Sequence, residues 1–273
     1  MKVVILCGGL GTRLHEETEF RPKPLVPIGD RPIVWHIMKS YAAFGFSEFI
    51  LALGYKGEMI KDFFLNYDVL YSDFALELGS KRVTPLRPAH DEADWRITFV
   101  DTGQDTQTGG RLKRLQAHLA GEPRFMLTYG DGLADVDITR LLEFHTRSKR
   151  TAVVTGVRPL ARWGELIVEG DAVVRFSEKP PNVDSWINGG YFVMTPQVFD
   201  YIDGDRTALE QQPMERLAAH GKLGIYKHDG YWQAMDTYRE QQMLNQQWAA
   251  GRAPWTRWWR DEGNASPRLK RSA

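Results

Sequence analysis

The sequence predicts a doubly wound α/β fold built on a mostly parallel sheet. Short apolar runs rich in β-branched residues, beginning with Val3–Leu6, are typical of strands buried on both faces of such a sheet. Amphipathic helical segments alternate with these runs. The first begins at Pro32 and places its apolar residues on one face, namely Val34, Ile37, Met38 and Tyr41. Since 42% of the 273 residues are hydrophobic and 26% are charged, the chain can bury the core that this fold needs.

The alternation continues along the first 160 residues. The same patterns predict strands at residues 49–53, 97–100, 125–129 and 152–155, and helices around residues 60–64, 112–119 and 141–145. Residues 72–94 fit neither pattern and contain two prolines, so we expect an irregular insertion or a flap over a site.

The pattern changes near residue 160. Short alternating segments predict a β-hairpin at residues 166–168 and 173–176, and a return to the sheet at residues 189–194. Helices are predicted at residues 199–202, 214–220 and 237–248, and residues 260–273 are expected to be a disordered tail. The second part of the chain is therefore expected to be the smaller and more β-rich one.

Charge and cysteine content exclude several classes of protein. The 35 Lys and Arg residues balance the 35 Asp and Glu residues, which argues against a general nucleic-acid binder but permits a local basic cleft. The single cysteine, Cys7, excludes an internal disulfide framework. No apolar run approaches the roughly 20 residues of a membrane-spanning helix, and the first run is too short for a secretory signal. We therefore expect a cytoplasmic protein that binds neither nucleic acid nor membrane.

A glycine-rich loop directly follows the first strand. Residues 8–11 read Gly-Gly-Leu-Gly, and such loops let backbone N–H groups surround an anion while Arg13 offers a guanidinium that matches phosphate oxygens. The loop is not a dinucleotide fingerprint, because Leu14 stands where the third glycine belongs, and no Gly-Lys-Ser/Thr follows to make it a Walker A loop. Taken alone, an ordinary tight turn is an equally good interpretation.

Lys23 lies between Pro22 and Pro24, ten residues after Arg13. The prolines predict a stiff, extended segment that holds the lysine at a second phosphate, although a solvated lysine is the better explanation of Lys23 taken by itself. The glycine loop, Arg13 and Pro-Lys-Pro together resemble the signature of sugar-1-phosphate nucleotidyltransferases. The resemblance implies a Rossmann-like fold of the nucleotide-diphospho-sugar transferase type. It also implies that the loop and Arg13 hold a nucleoside triphosphate and that Lys23 stabilises charge at its α-phosphate.

Two carboxylates stand where such an enzyme binds its cation. Asp131 follows a predicted strand between two glycines, and Asp236 precedes the last predicted helix. By themselves they are equally well read as a turn aspartate and a helix N-cap. The resemblance implies that Asp131 and Asp236 bind Mg²⁺, and that Arg13, Lys23 and Asp131 are the catalytic residues.

The remaining site residues are assigned by the same resemblance. It gives the sugar phosphate to Gly110, Tyr129, Glu178, Lys179, Asn188 and Gly189. It gives the nucleotide to Leu6, Gly8, Gly9, Gly11, Thr12, Arg13, Lys23, Thr108, Gly109, Arg111 and Gly130. Surface turns, and a helix N-terminus at residues 108–111, explain several of these residues without a ligand.

Longer strings, such as residues 108–114 and 129–132, resemble the branch that transfers a cytidylyl group from CTP to glucose 1-phosphate. This likeness covers residues 1–259 and implies CDP-glucose and pyrophosphate as products and a homo-oligomer, a hexamer in that branch. It also implies one domain, with a nucleotide-binding part at about 1–158, a sugar-binding part at about 159–236 and a C-terminal helix at about 237–259. Arg111 is expected to donate to a pyrimidine carbonyl oxygen.

Three other interpretations remain open. A uridylyl- or thymidylyltransferase would share the fold and signature. A regulator that only binds nucleotide sugars would be expected to lose Arg13, Lys23 or the carboxylates, and this chain keeps them. A glycosyltransferase would favour an Asp-x-Asp motif, and residues 135–137 have that form but are expected to cap the next helix. The tryptophans near the C-terminus are explained equally well by a subunit contact and by packing within the chain.

Overall fold

The computed structural model describes residues 1–86, 91–158, 165–169, 171–177 and 185–260. Within these ranges the strands are β1 Val3–Leu6, β2 Pro27–Ile28, β3 Arg31–Pro32, β4 Glu48–Leu53, β5 Phe74–Glu77, β6 Arg82–Pro85, β7 Arg96–Asp101, β8 Phe125–Tyr129, β9 Gly132–Ala134, β10 Ala152–Val157, β11 Glu165–Glu169, β12 Ala172–Ser177, β13 Ile187–Met194, β14 Leu223–His228 and β15 Trp232–Ala234. The α-helices are α1 His15–Thr18, α2 Ile33–Ala42, α3 Gly57–Leu65, α4 Tyr67–Tyr71, α5 Thr108–Arg114, α6 Ile138–Ser148, α7 Gln212–Ala219, α8 Tyr238–Ala249 and α9 Arg257–Arg260.

A seven-stranded sheet with the order β14-β10-β13-β8-β1-β4-β7 organises the fold. β1 is parallel to both of its neighbours, β4 and β8, and β4 is parallel to β7. β13 runs antiparallel between β8 and β10, while β10 is parallel to β14. The predicted class, a mostly parallel sheet with helices, is therefore confirmed.

The sheet is buried on both faces because successive side chains of β1 point into different cores. Val3 and Ile5 belong to a core that includes α2, whereas Val4 and Leu6 belong to a core that includes α5. All four residues are buried. This explains why the strand reads as a continuous apolar run without alternation.

The predicted elements agree with the structure in most places, and the main differences are the following. Residues 74–85 form the antiparallel hairpin β5–β6, where the sequence predicted irregular structure. The helix expected over residues 112–119 is divided into α5 and a 3₁₀ turn at Gln116–Leu119. Residues 196–201 form a 3₁₀ helix, and the edge strand β14 was not predicted because a glycine and a lysine interrupt its apolar pattern. The hairpin β11–β12 is confirmed, and residues 261–273 lie outside the described residues.

The C-terminal tryptophans pack within the chain. The ring of Trp248 lies 4.7 Å from that of His36, and Trp259 lies 6.3 Å from Trp35, both on α2. Trp255 is fully buried, and its Nε1–H group lies 3.3 Å from Nδ1 of His36. These contacts fasten the C-terminal segment to the core. Within the described ranges, every helix is too short or too polar to cross a membrane.

Candidate active site

One cavity of about 540 Å³ opens at the carboxyl ends of β1 and β8. The two strands are neighbours in register, with Leu6 opposite Tyr129, so the loops that follow them leave the sheet at the same edge. Most residues predicted to bind ligands line this cavity, namely Leu6, Gly8, Gly9, Gly11, Thr12, Arg13, Lys23, Thr108, Arg111, Tyr129, Gly130, Asp131, Asn188, Gly189 and Asp236.

Of the other four predicted residues, two lie outside the described residues and two do not line the cavity. Glu178 and Lys179 lie outside the described residues. Gly109 and Gly110 lie against backbone instead, because a Cβ atom would come within 2.7 Å of the Thr207 carbonyl oxygen at Gly109 and within 2.5 Å of the Asp205 carbonyl oxygen at Gly110. Both glycines therefore allow α5 to approach the loop that precedes α7.

Ion pairs dominate one end of the cavity, which we call the charged end (Arg13, Lys23, Asp131 and Asp236). Lys23 Nζ donates to Asp131 Oδ2 at 2.6 Å and to Asp236 Oδ1 at 2.8 Å. Arg13 Nη1 donates to Asp236 Oδ2 at 2.9 Å. Residues separated by more than 200 positions are thus joined through their charges, and Lys23 supplies the positive charge between the two carboxylates.

Lys23 is buried, and two opposing effects act on its pKa. Burial lowers the pKa of the ammonium group, but the charges and hydrogen bonds of Asp131 and Asp236 outweigh burial and raise it above its usual value. Lys23 begins a 3₁₀ turn, Lys23–Leu25, rather than continuing the extended segment that the prolines predicted. Pro24 is compatible with the turn because its fixed φ suits a first helical turn. The prediction of a stiff frame around Lys23 holds for Pro22, which has extended backbone.

Asp236 is not the N-cap of the last helix. Thr237 caps α8 in a capping box with Glu240. The Glu240 carboxylate accepts the backbone N–H groups of Asp236 and Thr237, both at 2.8 Å. The Asp236 side chain is thereby left to point toward Lys23 and Arg13.

Gly8 is held by Arg111, which is 4% exposed. Arg111 Nη2 donates to the Gly8 and Gln104 carbonyl oxygens at 2.9 and 3.0 Å. Nη1 donates to the Thr102 hydroxyl and to two carbonyl oxygens in the same region. A Cβ atom at Gly8 would overlap the guanidinium group, whereas Gly9 has open space around it. Arg111 therefore holds the glycine loop through the carbonyl oxygen of Gly8. Its four Nη hydrogens already have acceptors within the protein.

A second group of cavity residues, which we call the hydroxyl end (Thr108, Tyr129, Asn188 and Glu210), is joined by hydrogen bonds. Glu210 accepts from the hydroxyls of Thr108 and Tyr129, both at 2.6 Å. Asn188 Nδ2 donates to the Tyr129 hydroxyl at 3.0 Å. Burial and the charge of Glu210 raise the pKa of Tyr129, so its phenol stays protonated.

Sequence reasoning missed several residues that line the cavity. Thr106 and Gln107 precede α5, and Trp232 donates through Nε1 to the Gly189 carbonyl oxygen at 2.7 Å. Their nearness to residues 108–111 and to Asp236 could have indicated them. Glu210 lies in a stretch without any recognisable motif, so no signal in one sequence would have found it.

The two carboxylates of the charged end suit a hard divalent cation. Mg²⁺ is commonly held by one or two carboxylates together with substrate phosphates and water, and Asp131 and Asp236 provide that number of protein oxygen donors. Among the described residues, no group of three or more His, Cys, Asp or Glu side chains could hold a metal ion without such help. The donor set therefore fits Mg²⁺ arriving with a nucleoside triphosphate.

The Asp-x-Asp sequence at residues 135–137 serves the fold. Asp137 is the N-cap of α6 and accepts from the Arg140 backbone N–H, as predicted. Asp135 accepts from the Tyr231 backbone N–H at 2.7 Å and lies 3.0 Å from His228 Nε2. Because neither residue lines the cavity, these contacts weigh against the glycosyltransferase interpretation.

A family model for nucleotidyl transferases matches residues 2–267 of this chain. The chain belongs to the nucleotidyl transferase family. The family predicted from the glycine loop and Pro-Lys-Pro is thereby confirmed. Members of the family typically use a divalent metal.

Some curated relatives match this chain over their whole length. The glucose-1-phosphate cytidylyltransferase of Salmonella typhi is 45% identical over 259 residues, which are 94% of this chain and 100% of that protein. The probable glucose-1-phosphate cytidylyltransferase of Bacillus subtilis is 44% identical over the same shares of the two chains. Among solved structures, HddC from Yersinia pseudotuberculosis is similar with a TM-score of 0.67 and 21% identity, covering 90% of this chain and 99% of HddC. This last likeness supports the fold alone.

Proposed function

We propose that this protein transfers the cytidylyl group of CTP to glucose 1-phosphate, giving CDP-glucose and pyrophosphate. The observation that carries the proposal is the match of 44–45% identity along the full length of glucose-1-phosphate cytidylyltransferases. The cavity supports it, because cationic side chains and a glycine loop at one end suit a triphosphate. Hydroxyl, amide and carboxylate groups at the other end suit a sugar.

In the proposed reaction a phosphate oxygen of glucose 1-phosphate attacks the α-phosphorus of CTP. The new P–O bond forms as the bond to pyrophosphate breaks, and the departing pyrophosphate keeps that electron pair. Enzymes accelerate such transfers mainly by positioning the reactants and by neutralising charge spread over the phosphate oxygens. No general base is needed because the attacking phosphate is already ionised near neutral pH.

We assign the charged end to the triphosphate. Arg13 and the amides of residues 8–12 hold the phosphates that leave, and Lys23 neutralises charge at the α-phosphate. Asp131 and Asp236 would hold Mg²⁺, which supplies positive charge to the phosphate oxygens when it is bound. Arg111 acts on the nucleotide indirectly by fixing Gly8, rather than by donating to the base.

The hydroxyl end is assigned to the sugar phosphate through Tyr129, Asn188 and Gly189. Glu178 and Lys179 are proposed to complete this site, as the resemblance implies. We further propose that the protein acts in the cytoplasm as a homo-oligomer, a hexamer. Exposed large apolar residues supporting a subunit contact are concentrated between residues 65 and 86, namely Leu65, Val69, Leu70, Leu76, Leu78, Val83 and Leu86. Sedimentation velocity of the purified protein tests the oligomer.

Pyrophosphate release tests the proposed reaction. The purified protein is incubated with Mg²⁺, glucose 1-phosphate and each nucleoside triphosphate in turn. Release with CTP well above the other triphosphates is expected. Release with UTP or dTTP instead would replace the base assignment by a uridylyl- or thymidylyltransferase, and silence with all triphosphates and several sugar phosphates would point to a protein that only binds nucleotide sugars.

A further inference from the structure

Glu210 lies at the hydroxyl end of the cavity, in the loop before α7, and has no role in the signature. It is exposed and lines the cavity together with both hydroxyl groups that donate to it. These donors come from different parts of the chain, Thr108 from the start of α5 and Tyr129 from the end of β8. One carboxylate thus joins the start of α5 to the end of β8.

The carboxylate fixes the direction of both hydroxyl hydrogen bonds in this network. An ionised Glu210 carboxylate can only accept hydrogen bonds, so the Tyr129 hydroxyl donates its single hydrogen to Glu210. The Tyr129 oxygen is then left as an acceptor, and Asn188 Nδ2 donates to it at 3.0 Å. The orientation of the Asn188 amide is set independently, because its Oδ1 accepts the Gly190 backbone N–H at 2.8 Å.

The second arm of the network obeys the same rule. The Thr108 hydroxyl donates its hydrogen to Glu210, and its oxygen accepts the Leu209 backbone N–H at 2.9 Å. An oriented network of this kind leaves defined groups for a ligand. Asn188 Nδ2 carries a second hydrogen, and the Glu210 carboxylate has more lone pairs than the two hydroxyls use.

We propose that Glu210 is a positioning residue for the sugar of the substrate. By fixing the Tyr129 hydroxyl as a donor toward itself, it keeps the Tyr129 oxygen as the acceptor of one Asn188 N–H group, which leaves the second N–H group for a sugar oxygen. It also offers its own remaining lone pairs to a sugar hydroxyl. This inference rests on the proposed function, because it takes the ligand of the hydroxyl end to be the sugar of a sugar phosphate.

The variants Glu210→Gln and Tyr129→Phe test the proposal, with Glu215→Gln as the matched control. Glu215 lies on α7 five residues away, is exposed and does not line the cavity. In Glu210→Gln the amide can donate, so Tyr129 is free to reverse its direction while the shape of the side chain is kept. We expect KM for glucose 1-phosphate to rise about tenfold, with KM for CTP within about twofold of wild type. Glu215→Gln should match wild type.

Calorimetric titrations with CDP-glucose and with CTP measure the same effect without turnover. Glu210→Gln should bind CDP-glucose about tenfold more weakly and CTP as wild type does, and Glu210→Asp should recover part of the loss. The double variant with Tyr129→Phe should lose little more than Tyr129→Phe alone.

Three outcomes would each overturn the inference. The first is that Glu210→Gln binds CDP-glucose as wild type does, and the second is that it loses affinity for CTP alone. The third is that the losses of CDP-glucose affinity in Glu210→Gln and Tyr129→Phe add up in the double variant. Should Glu210→Gln fail to fold, Tyr129→Phe and Glu210→Asp carry the same comparison. Wild-type protein that releases no pyrophosphate would refute the proposed function instead, and wild-type protein that binds no CDP-glucose would refute both.

Discussion

The two ends of the cavity prepare for their ligands in different ways. At the charged end, two cations and two carboxylates already neutralise one another, so a triphosphate with its metal ion must replace existing ion pairs. At the hydroxyl end, one carboxylate orients uncharged donors without consuming all of its own lone pairs. The difference suggests that rate depends mainly on the charged end and that the choice of sugar depends mainly on the hydroxyl end.

The largest expected effect comes from removing Lys23. If the charged end controls the rate, Lys23→Ala should lower kcat for pyrophosphate release by roughly 10²–10³, the size of one electrostatic donor in a transition state. KM for glucose 1-phosphate should change far less than kcat. Steady-state kinetics with both substrates varied make this measurement.

Lys113→Ala is the control for Lys23→Ala. Lys113 also uses its ammonium group within the protein, donating to the Phe199 carbonyl oxygen at 2.7 Å, but it does not line the cavity. Its kcat should stay within about threefold of wild type. A Lys23→Ala enzyme with near wild-type kcat would remove the charged end from its proposed role and, with it, the contrast between the two ends.

The second largest effect is expected from His36, and it tests whether both ends of the cavity depend on the core around α2. His36 is fully buried on α2, away from the cavity, with Nε2 2.9 Å from the Ile28 carbonyl oxygen and Nδ1 facing the Trp255 Nε1–H group. This pairing needs a neutral imidazole. Burial lowers the pKa of His36 to about 4, although the hydrogen bond to Ile28 opposes the shift.

Below about pH 6.5 the unfolded chain binds a proton at His36, whereas the folded chain does so only near pH 4. The free energy of unfolding should therefore decrease as the pH is lowered from about 6.5 to about 4. The contribution is complete above about pH 6.5 and is lost as the pH approaches 4, amounting to about 3 kcal/mol. Urea unfolding at several pH values measures it, and His36→Gln should be less stable but flatter across the same window. In His36→Gln, the binding of CTP and the binding of CDP-glucose should weaken to a similar degree. Weakening of only one of them would show that the two ends do not both depend on the core around His36.

The sequence predicted the charged end better than the hydroxyl end, and the reason is physical. Each charged residue stands in a short segment whose residue types already suit phosphate or metal, such as Pro-Lys-Pro around Lys23. The resemblance paired Asp131 with Asp236, but residue spacing could not show that they meet, because β8 and the start of α8 reach the same edge of the sheet only in the folded chain. Glu210 has no motif around it, and its role exists only through contacts with distant residues.

Arg111 makes contacts that the sequence did not predict. Its position beside two glycines predicted a side chain that donates to a base, and in the structure its Nη groups donate to the carbonyl oxygens of Leu53 at the end of β4 and of three loop residues, Gly8, Gly103 and Gln104. The fold class could be predicted because buried parallel strands leave continuous apolar runs. Burial of a long polar side chain such as Arg111 leaves no comparable mark in the sequence.

The smallest expected effect comes from two alanine substitutions in the glycine loop, one at Gly8 against Arg111 and one at Gly9 in open space. Gly8→Ala would place a methyl group in the space filled by the Arg111 guanidinium, which is held by five acceptors and cannot shift without breaking some of them. We expect a loss of about 1–3 kcal/mol in the free energy of unfolding, the usual range for overpacking. Gly9→Ala, one residue along in open space, should stay within about 0.5 kcal/mol of wild type.

Ligand binding by the same pair of variants then sharpens the contrast between the ends. Gly9 lines the cavity and has open space around it, so we expect Gly9→Ala to weaken the binding of CTP while affecting the binding of CDP-glucose less than Glu210→Gln does. Gly8→Ala should weaken the binding of CTP because it displaces the Arg111 side chain that holds the loop. Equal stability of the two variants in urea would show that Arg111 can move freely, and its assignment as the support of Gly8 would then be wrong.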